Sequence, residues 1–480
     1  MEASKSRSTA HPMPPRTLPR AEHTVSRKNI DADALKVLYR LKSHGFRAYL
    51  VGGGVRDLLL GRRPKDFDVA TDAHPQQVKR LFRNCFIIGR RFRLCHVRFG
   101  RKVIEVSTFR RQAEPQDGDP LIRRDNTFGT PEEDAFRRDF TVNALFYDIA
   151  SFSVIDYVGG LEDLEQRIIR TIGDPATRFR EDPVRMLRAV ALAARISFTI
   201  HRDTVEAIRF LRGEIVKSSS ARLLEEFYKI LRQGASRRTF ELLHELGLLT
   251  YLLPEADAAI AEGGERLLGS LSRLDDWRSA GAAPESLSNP LLMGTLLVPL
   301  GVPLRRVAAP PRRARRPDEA LEAEPPEPPG PPLDVAAEMA ALGGEAEEAD
   351  GGALEPPSIA LPFARRDLDR LRLILAAQRR LREVHRSPRV KQLLAGRDYF
   401  EDALRWMEIH GGVEGQDLAA HWRSLDTGDV EAPLAATGAA PSGDGGEPRA
   451  YQLHDAPRPR RRRRRRRRRG AGAHAKGEHP

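Results

Sequence analysis

Residues 50–71 read LVGGGVRDLLLGRRPKDFDVAT. The stretch AYLV at 48–51 is a short apolar strand that runs into three glycines, Gly52, Gly53 and Gly54. VRDLLLG at 55–61 then has the makings of a short helix closed by Gly61, and DFDVAT at 66–71 is a second strand. On a strand, residues i and i+2 share a face, so Asp66 and Asp68 project side by side while Phe67 turns to the core. Two carboxylates so close repel unless a cation lies between them. A pair of Mg²⁺ ions suits that place, because Mg²⁺ takes oxygen ligands from one or two carboxylates and lets substrate phosphates complete its shell. The plain alternative is a solvated acidic strand end. The strand–glycine–helix turn, fourteen residues before the carboxylate pair, gathers backbone N–H groups and a helix N-terminus where phosphates bind, with Arg56 and Arg62 adding positive charge. Its plain alternative is a tight turn that needs positive φ.

Working outward, apolar residues from Ala32 to Ser43 recur at helical spacing, and Gly45 ends that helix. Beyond the second strand, HPQQVKRLFRN at 74–84 reads as a helix, and FIIG at 86–89, LCHVRFG at 94–100 and KVIEVSTF at 102–109 read as strands. Glu105 in the last of these is costly amid so apolar a strand unless it has a partner, which makes it a candidate third metal ligand or a solvent-facing strand residue. Residues 29–150 are thus a mixed α/β head. Residues 113–135, with Pro115, Pro120 and Pro131, read as a loop. Helical patterning then covers 135–147, 160–170, 181–196, 203–212, 220–232 and 236–248, so 151–250 is a helical neck. Residues 251–302 and 359–426 make a helical body and tail.

Composition narrows the class. The chain has 480 residues and a net charge of +13, but residues 458–469 hold eleven arginines, and the rest of the chain carries only +2. A near-neutral body with one basic tail points to a polyanionic partner for residues 427–480, which read as disordered. Residues 1–28 also read as disordered. So does the insertion 303–358, which holds 12 of the 35 prolines, six arginines and 12 acidic residues and cannot bury a core. Two cysteines, Cys85 and Cys95, exclude a disulfide framework, and the longest uncharged apolar stretch, Leu291 to Leu304, is broken by Pro299 and Pro303. The expectation is a cytoplasmic protein without a transmembrane segment.

Two further blocks carry chemistry. RRDFTVNA at 137–144 offers an Arg pair, Arg137 and Arg138, able to clamp phosphates or a base edge, and Asp139, a possible cap for a helix starting at 140. EDPVRMLR at 181–188 opens a helix with Asp182 at the N-cap, Pro183 at the first turn, and Arg185 and Arg188 three apart on one face. One acceptor and two forked donors there suit a nucleobase edge; the plain alternative is a capped surface helix.

Taken together, LVGGGVRDLLLG (50–61), KDFDVAT (65–71), IEVSTFR (104–110), RRDFTVNAL (137–145), DYVGGLEDL (156–164) and EDPVRMLRA (181–189) resemble the class II nucleotidyltransferases, the family of CCA-adding enzymes and bacterial poly(A) polymerases. IIGRRFRLCHV (87–97), DNTFGTPEEDAFRRDF (125–140) and the basic tail resemble the poly(A) polymerase branch more closely. The resemblance implies an α+β chain with a polymerase-β-like head followed by helical neck, body and tail. It implies template-independent addition of AMP from ATP to RNA 3′ ends, making poly(A) tails that promote RNA decay, with CCA addition to tRNA as the alternative. Asp66 and Asp68 would bind two Mg²⁺ ions, or Mn²⁺, with Asp139 in the same acidic set. Gly53 and Arg56 would contact the triphosphate. Arg138, Asp182, Arg185 and Arg188 would line the nucleotide pocket. RNA, and RNA-decay proteins, are the partners this implies for a monomer.

Overall fold

The computed structural model describes residues 15–89, 93–111, 128–281, 283, 286–302, 361–385 and 387–425. Eight strands form one sheet: β1 (Arg16–Leu18), β2 (Ala48–Val51), β3 (Asp68–Thr71), β4 (Cys85–Ile88), β5 (Leu94–Phe99), β6 (Lys102–Thr108), β7 (Leu145–Asp148) and β8 (Ser153–Asp156). Their order is β1-β8-β7-β2-β3-β6-β5-β4. Only β3 and β6 run parallel; the other neighbours are antiparallel.

Helix α1 (Ala32–Ser43) begins where Asp31 accepts from the N–H groups of Asp33 and Ala34, and it buries Ala34, Val37, Leu38 and Leu41. Those side chains pack with Leu50, Val69, Val97, Ile104 and Val106 on one face of the sheet. Helices α2 (Gly53–Leu59) and α3 (Pro75–Leu81) lie between the first strands. Among the described residues the opposite face is covered at its centre, where Val51, Ala70, Phe109 and Phe146 pack with Ala135 and Ile172. Toward β4 the Phe86 and Ile88 side chains on that face are exposed.

Two readings of the sequence change. The unstructured segment expected through residue 28 gives way to β1, paired with β8. His23 Nε2 lies 2.9 Å from the Phe152 carbonyl oxygen, and Val25 is buried. A short edge strand needs little apolar content, so composition conceals it. The helix expected over 135–147 is instead α4 (Pro131–Arg137), a 3₁₀ turn (Thr141–Asn143) and strand β7. The Thr130/Glu133 capping box starts α4 four residues early. Leu145, Phe146 and Tyr147 are buried on both faces between β8 and β2, and such an apolar run has no strand period to read. The insertion 303–358 and the tail 427–480 lie outside the described residues.

Behind the head come α5 (Gly160–Gln166), β9 (Ile168–Ile169), α6 (Pro175–Glu181), α7 (Val184–Ile196), β10 (Thr199–Ile200), α8 (Arg202–Leu211), α9 (Ser220–Arg232), α10 (Ser236–Glu245), α11 (Leu249–Leu252), α12 (Pro254–Ala261), α13 (Glu265–Ser279) and α14 (Asn289–Leu297). The described chain resumes with α15 (Arg365–Arg382), α16 (Pro388–Ala395), α17 (Phe400–His410) and α18 (Gly412–Ser424). One apolar core joins α7 to α18 through Leu187, Phe227, Phe240, Leu271, Leu292, Leu371 and Trp406. Among the described residues no helix is long and apolar enough to cross a membrane.

This core contains a titratable group. The His410 ring lies 4.1 Å from that of Trp406, and its Nε2 is 3.2 Å from Thr295 Oγ1. Burial, helped by the charge of Arg273, pushes the imidazole down to about 3 from an ordinary 6.5. Below 6.5 the unfolded chain takes up a proton that the folded chain refuses until about pH 3, so this contribution to stability is present above 6.5 and lost on acidification. The expected slope is at most about 1.4 kcal/mol per pH unit in that window. Urea unfolding of the wild type and His410→Gln at several pH values should show the variant's stability falling less steeply, by about one proton. Equal slopes would remove the assignment.

Candidate active site

Gly52 takes φ +76° and ψ −145°, a conformation closed to residues with a Cβ. A Cβ there would also stand 3.2 Å from Arg138 Nη1 and 3.9 Å from Asp68 Oδ2. The glycine turn therefore brings the backbone directly against the charged residues. Asp66 is exposed just before β3, and Asp68 is the half-buried first residue of that strand. Neither carboxylate has a hydrogen-bond or ion-pair partner among the described residues. Burial pushes the Asp68 carboxyl up to about 6, and the charges of Glu105 and Asp66 push the same way against Arg138. A cation brought beside such a group would favour its ionised form.

Glu105 is placed next to Asp68 by the parallel β3–β6 register, which pairs Val69 with Val106. It leans instead toward β5, where His96 Nε2 is 3.4 Å from Glu105 Oε1. Among the described residues no three His, Cys, Asp or Glu side chains gather as a metal cage, so the structure does not make Glu105 a third ligand beside the pair. The two carboxylates fit cations whose remaining ligands come from substrate.

Arg56 is nearly fully buried, at 1 % exposure. Its guanidinium donates to Asp57 Oδ1 from both Nε (2.8 Å) and Nη2 (2.7 Å), and it also donates to Asn143 Oδ1. A Cβ at Gly53 would lie 3.2 Å from Arg56 Nη2. Arg56 thus braces the glycine turn from behind, where the sequence reading places it on the triphosphate. Arg138 donates to Asp134 Oδ2 at 3.0 Å and lies 5.3 Å above the Phe146 ring.

Asp139 caps no helix. Its Oδ1 accepts from the Phe140 N–H at 2.9 Å and from Asn143 Nδ2 at 3.3 Å, and Arg188 Nη2 stands 2.7 Å from Oδ2. Burial opposes ionisation, but Arg188 and those donors outweigh it and hold the carboxyl below its ordinary pKa. Asp139 is therefore held as a carboxylate paired with Arg188 of α7. Asp182 ends α6 in extended conformation and Pro183 precedes α7, so the Asp182 side chain does not cap. Its Oδ2 accepts from Arg222 Nη2 at 2.9 Å, while Oδ1 is buried without a partner. Arg185 Nη1 donates to the Arg178 carbonyl and to Glu181, both at 3.0 Å. The two arginines read as a free pair are each engaged by an acid.

Sequence reasoning missed four residues that build this site. Asn143 links Arg56 to Asp139, Asp134 anchors Arg138, and Arg178 donates to the carbonyls of Arg137 (2.8 Å) and Arg138 (2.5 Å). Arg195 on α7 is the fourth: burial, then the neighbouring Arg56, pushes it down to about 10, with Arg62, Asp57 and Asp66 also in range. Asn143 stood in the RRDFTVNAL block, but nothing local marks Arg195. The DYVGGLEDL block is scaffold. Thr141 Oγ1 donates to Asp163 Oδ2 at 2.6 Å, and a Cβ on Gly160 would sit 2.3 Å from the Thr141 carbonyl oxygen.

Residues 48–170 match the family described as "Poly A polymerase head domain", and residues 197–260 match "Probable RNA and SrmB- binding site of polymerase A". Poly(A) polymerase I of Salmonella typhi is 50% identical over 274 residues, covering 54% of this chain and 59% of that protein. The chain thus spans about three fifths of the length of that relative. A CCA-adding enzyme of Lactobacillus helveticus is 41% identical over 211 residues, covering 44% of this chain and 52% of that protein. The crystal structure of the Bacillus stearothermophilus CCA-adding enzyme in complex with CTP matches with a TM-score of 0.52 and 28% identity, covering 81% of this chain and 80% of that one. Residues 48–170 and 197–260 of this chain are thus similar to the head and RNA-binding segments of poly(A) polymerases, and over the matched residues the likeness to poly(A) polymerase I exceeds that to the CCA-adding enzyme.

Proposed function

We propose that this protein adds AMP from ATP to RNA 3′ ends without a template, building poly(A) tails. The observation that carries the reading is Asp68: unpaired, half-buried and pushed up to about 6 beside Asp66 and the glycine turn. In the reaction the RNA 3′-hydroxyl attacks the α-phosphate, the bond to the bridging oxygen breaks, and pyrophosphate leaves. Divalent cations held by Asp66 and Asp68, Mg²⁺ or Mn²⁺, would lower the pKa of that hydroxyl and neutralise charge on the α-phosphate and pyrophosphate.

The chain's own residues do the rest. Gly52 and Gly53 let the backbone approach the phosphates. Arg195, without a hydrogen-bonded acid, adds positive charge beside them. Arg56, Asn143, Asp139 and Arg188 form a chain of polar contacts that fixes the turn to α7. The orphan Oδ1 of Asp182 is a buried acceptor suited to the exocyclic amine of adenine. Poly(A) addition is favoured over CCA addition by the greater identity to poly(A) polymerase I, 50% against 41%. Cys85 and Cys95 are free thiols, which suits the reducing cytoplasm.

The test supplies all four NTPs with a tRNA lacking its terminal CCA and with an unrelated RNA. The expected product is a long A-only extension of the unrelated RNA. Addition of three nucleotides to the tRNA, with the other RNA ignored, would make the protein a CCA-adding enzyme.

A further inference from the structure

The register of the head sheet sets four side chains in one row on its open face. Asp68 on β3 neighbours Glu105 on β6, Glu105 pairs with His96 on β5, and His96 pairs with Phe86 on the edge strand β4. Phe86 is 50% exposed, and two more large apolar side chains on this same face are unusually open, Ile88 at 48% and Val103 at 38%. Val103 pairs with Arg98, whose guanidinium carbon stands 5.0 Å from the centre of the Phe86 ring. An exposed apolar row of this kind marks a surface that something covers.

The chemistry of the row says what covers it. Arg98 has no acidic partner among the described residues. An exposed ring beside an unpaired guanidinium, as Phe86 and Arg98 are, is the kind of surface that single-stranded nucleic acid occupies. The row also runs straight to the carboxylates, with three strand spacings of ~4.8 Å, about 14 Å, between Asp68 and Phe86. That is the length of about four stacked nucleotides at the 3.4 Å rise of one strand.

We propose that this open face carries the last nucleotides of the RNA 3′ end to Asp66 and Asp68, with Phe86 stacking on a base and Arg98 holding an adjoining phosphate. The proposal rests on the RNA-extension reading above and adds the path by which the RNA arrives. Phe86 and Arg98 touch neither ATP nor the reacting atoms. Their loss therefore weakens RNA binding alone.

The experiment measures KM for a short single-stranded RNA, KM for ATP and kcat in purified wild type, Phe86→Ala, Phe86→Leu, Phe86→Trp and Arg98→Ala, after circular dichroism has shown each to be folded. Phe86→Ala and Phe86→Leu should each raise the RNA KM roughly tenfold, and Phe86→Trp should keep it near wild type, because stacking needs a ring and not merely an apolar side chain. Arg98→Ala should raise the RNA KM and flatten its dependence on log[salt] by about 0.7, one phosphate's share. KM for ATP and kcat at saturating RNA should hold. If the wild type extends RNA while Phe86→Ala and Arg98→Ala keep its RNA KM, the path is wrong, and a protein partner is left as the cover of this face. If Phe86→Leu performs as well as Phe86→Trp, the stacking role is wrong. A wild type that extends no RNA sinks the function itself and not only the path.

Discussion

Asp68→Asn should cut nucleotide addition by on the order of 10³-fold or more while leaving RNA binding in place. The substitution keeps the shape of the side chain and removes its charge. The cations that would bridge the carboxylates to the substrate phosphates then lose one of their anchors, and with it the α-phosphate loses its place beside the incoming hydroxyl. Asp66→Asn should do the same, since on the proposed reading the two carboxylates would hold one pair of cations and neither could replace the other. A second reading separates this from a folding defect. The folded-state pKa of Asp68 is raised to about 6 from 3.8, so its ionised form opposes folding, and that cost grows as pH rises through this window. The metal-free Asp68→Asn protein should accordingly be no less stable than wild type at pH 8 by thermal unfolding. RNA affinity should hold or tighten, because a negative charge has left the cleft. A variant that keeps more than about a hundredth of the wild-type rate would overturn the assignment.

The glycine turn was legible because it is a local event: Gly52 needs a positive φ that the sequence marks by glycine itself. The pair Asp66 and Asp68 is read from a strand period of two over 66–71, whereas β3 begins at Asp68 and Asp66 lies just before it. Strand bounds at 48–51 agree to the residue, and those of β5 and β6 to within one. Legibility failed wherever a residue's role depends on a partner distant in sequence. Arg56 stands three residues after Gly53 and reads as a phosphate ligand, yet Asn143, 87 residues on, draws it inward. Arg188 reads as a base clamp until Asp139 closes on it from the link between α4 and the 3₁₀ turn. Strand β7 itself was read as helix, since a strand buried on both faces leaves only a continuous apolar run. The open row from Asp68 to Phe86 is of the same kind, because sheet register, and not sequence spacing, brings residues 68, 105, 96 and 86 into line.

Deleting residues 456–480 should weaken RNA binding by orders of magnitude at low salt while sparing turnover. That segment holds ten consecutive arginines, 460–469, and its removal leaves a chain of net charge +2. Each phosphate neutralised on a single strand releases counterions worth a slope of roughly −0.7 in log K against log[salt]. At that slope, six to ten such contacts would lower affinity by about 10²·⁵–10⁴-fold between 50 and 200 mM salt. The truncated protein should lose most of that slope, and its affinity at low salt should fall toward the value that full-length protein shows at high salt. A polyarginine run carries charge without a fixed set of donors for base edges, so the loss should be alike for a tRNA, a poly(A) strand and an unrelated RNA. The kcat at saturating RNA should change little, since Asp66, Asp68 and the Phe86 row all remain. The two sources of salt dependence also differ in scale: Arg98→Ala removes about one phosphate's share, the deletion several. An unchanged slope after deletion would give the arginines to a different polyanion, an acidic protein surface, and leave the head and the helical segment to hold the RNA by themselves.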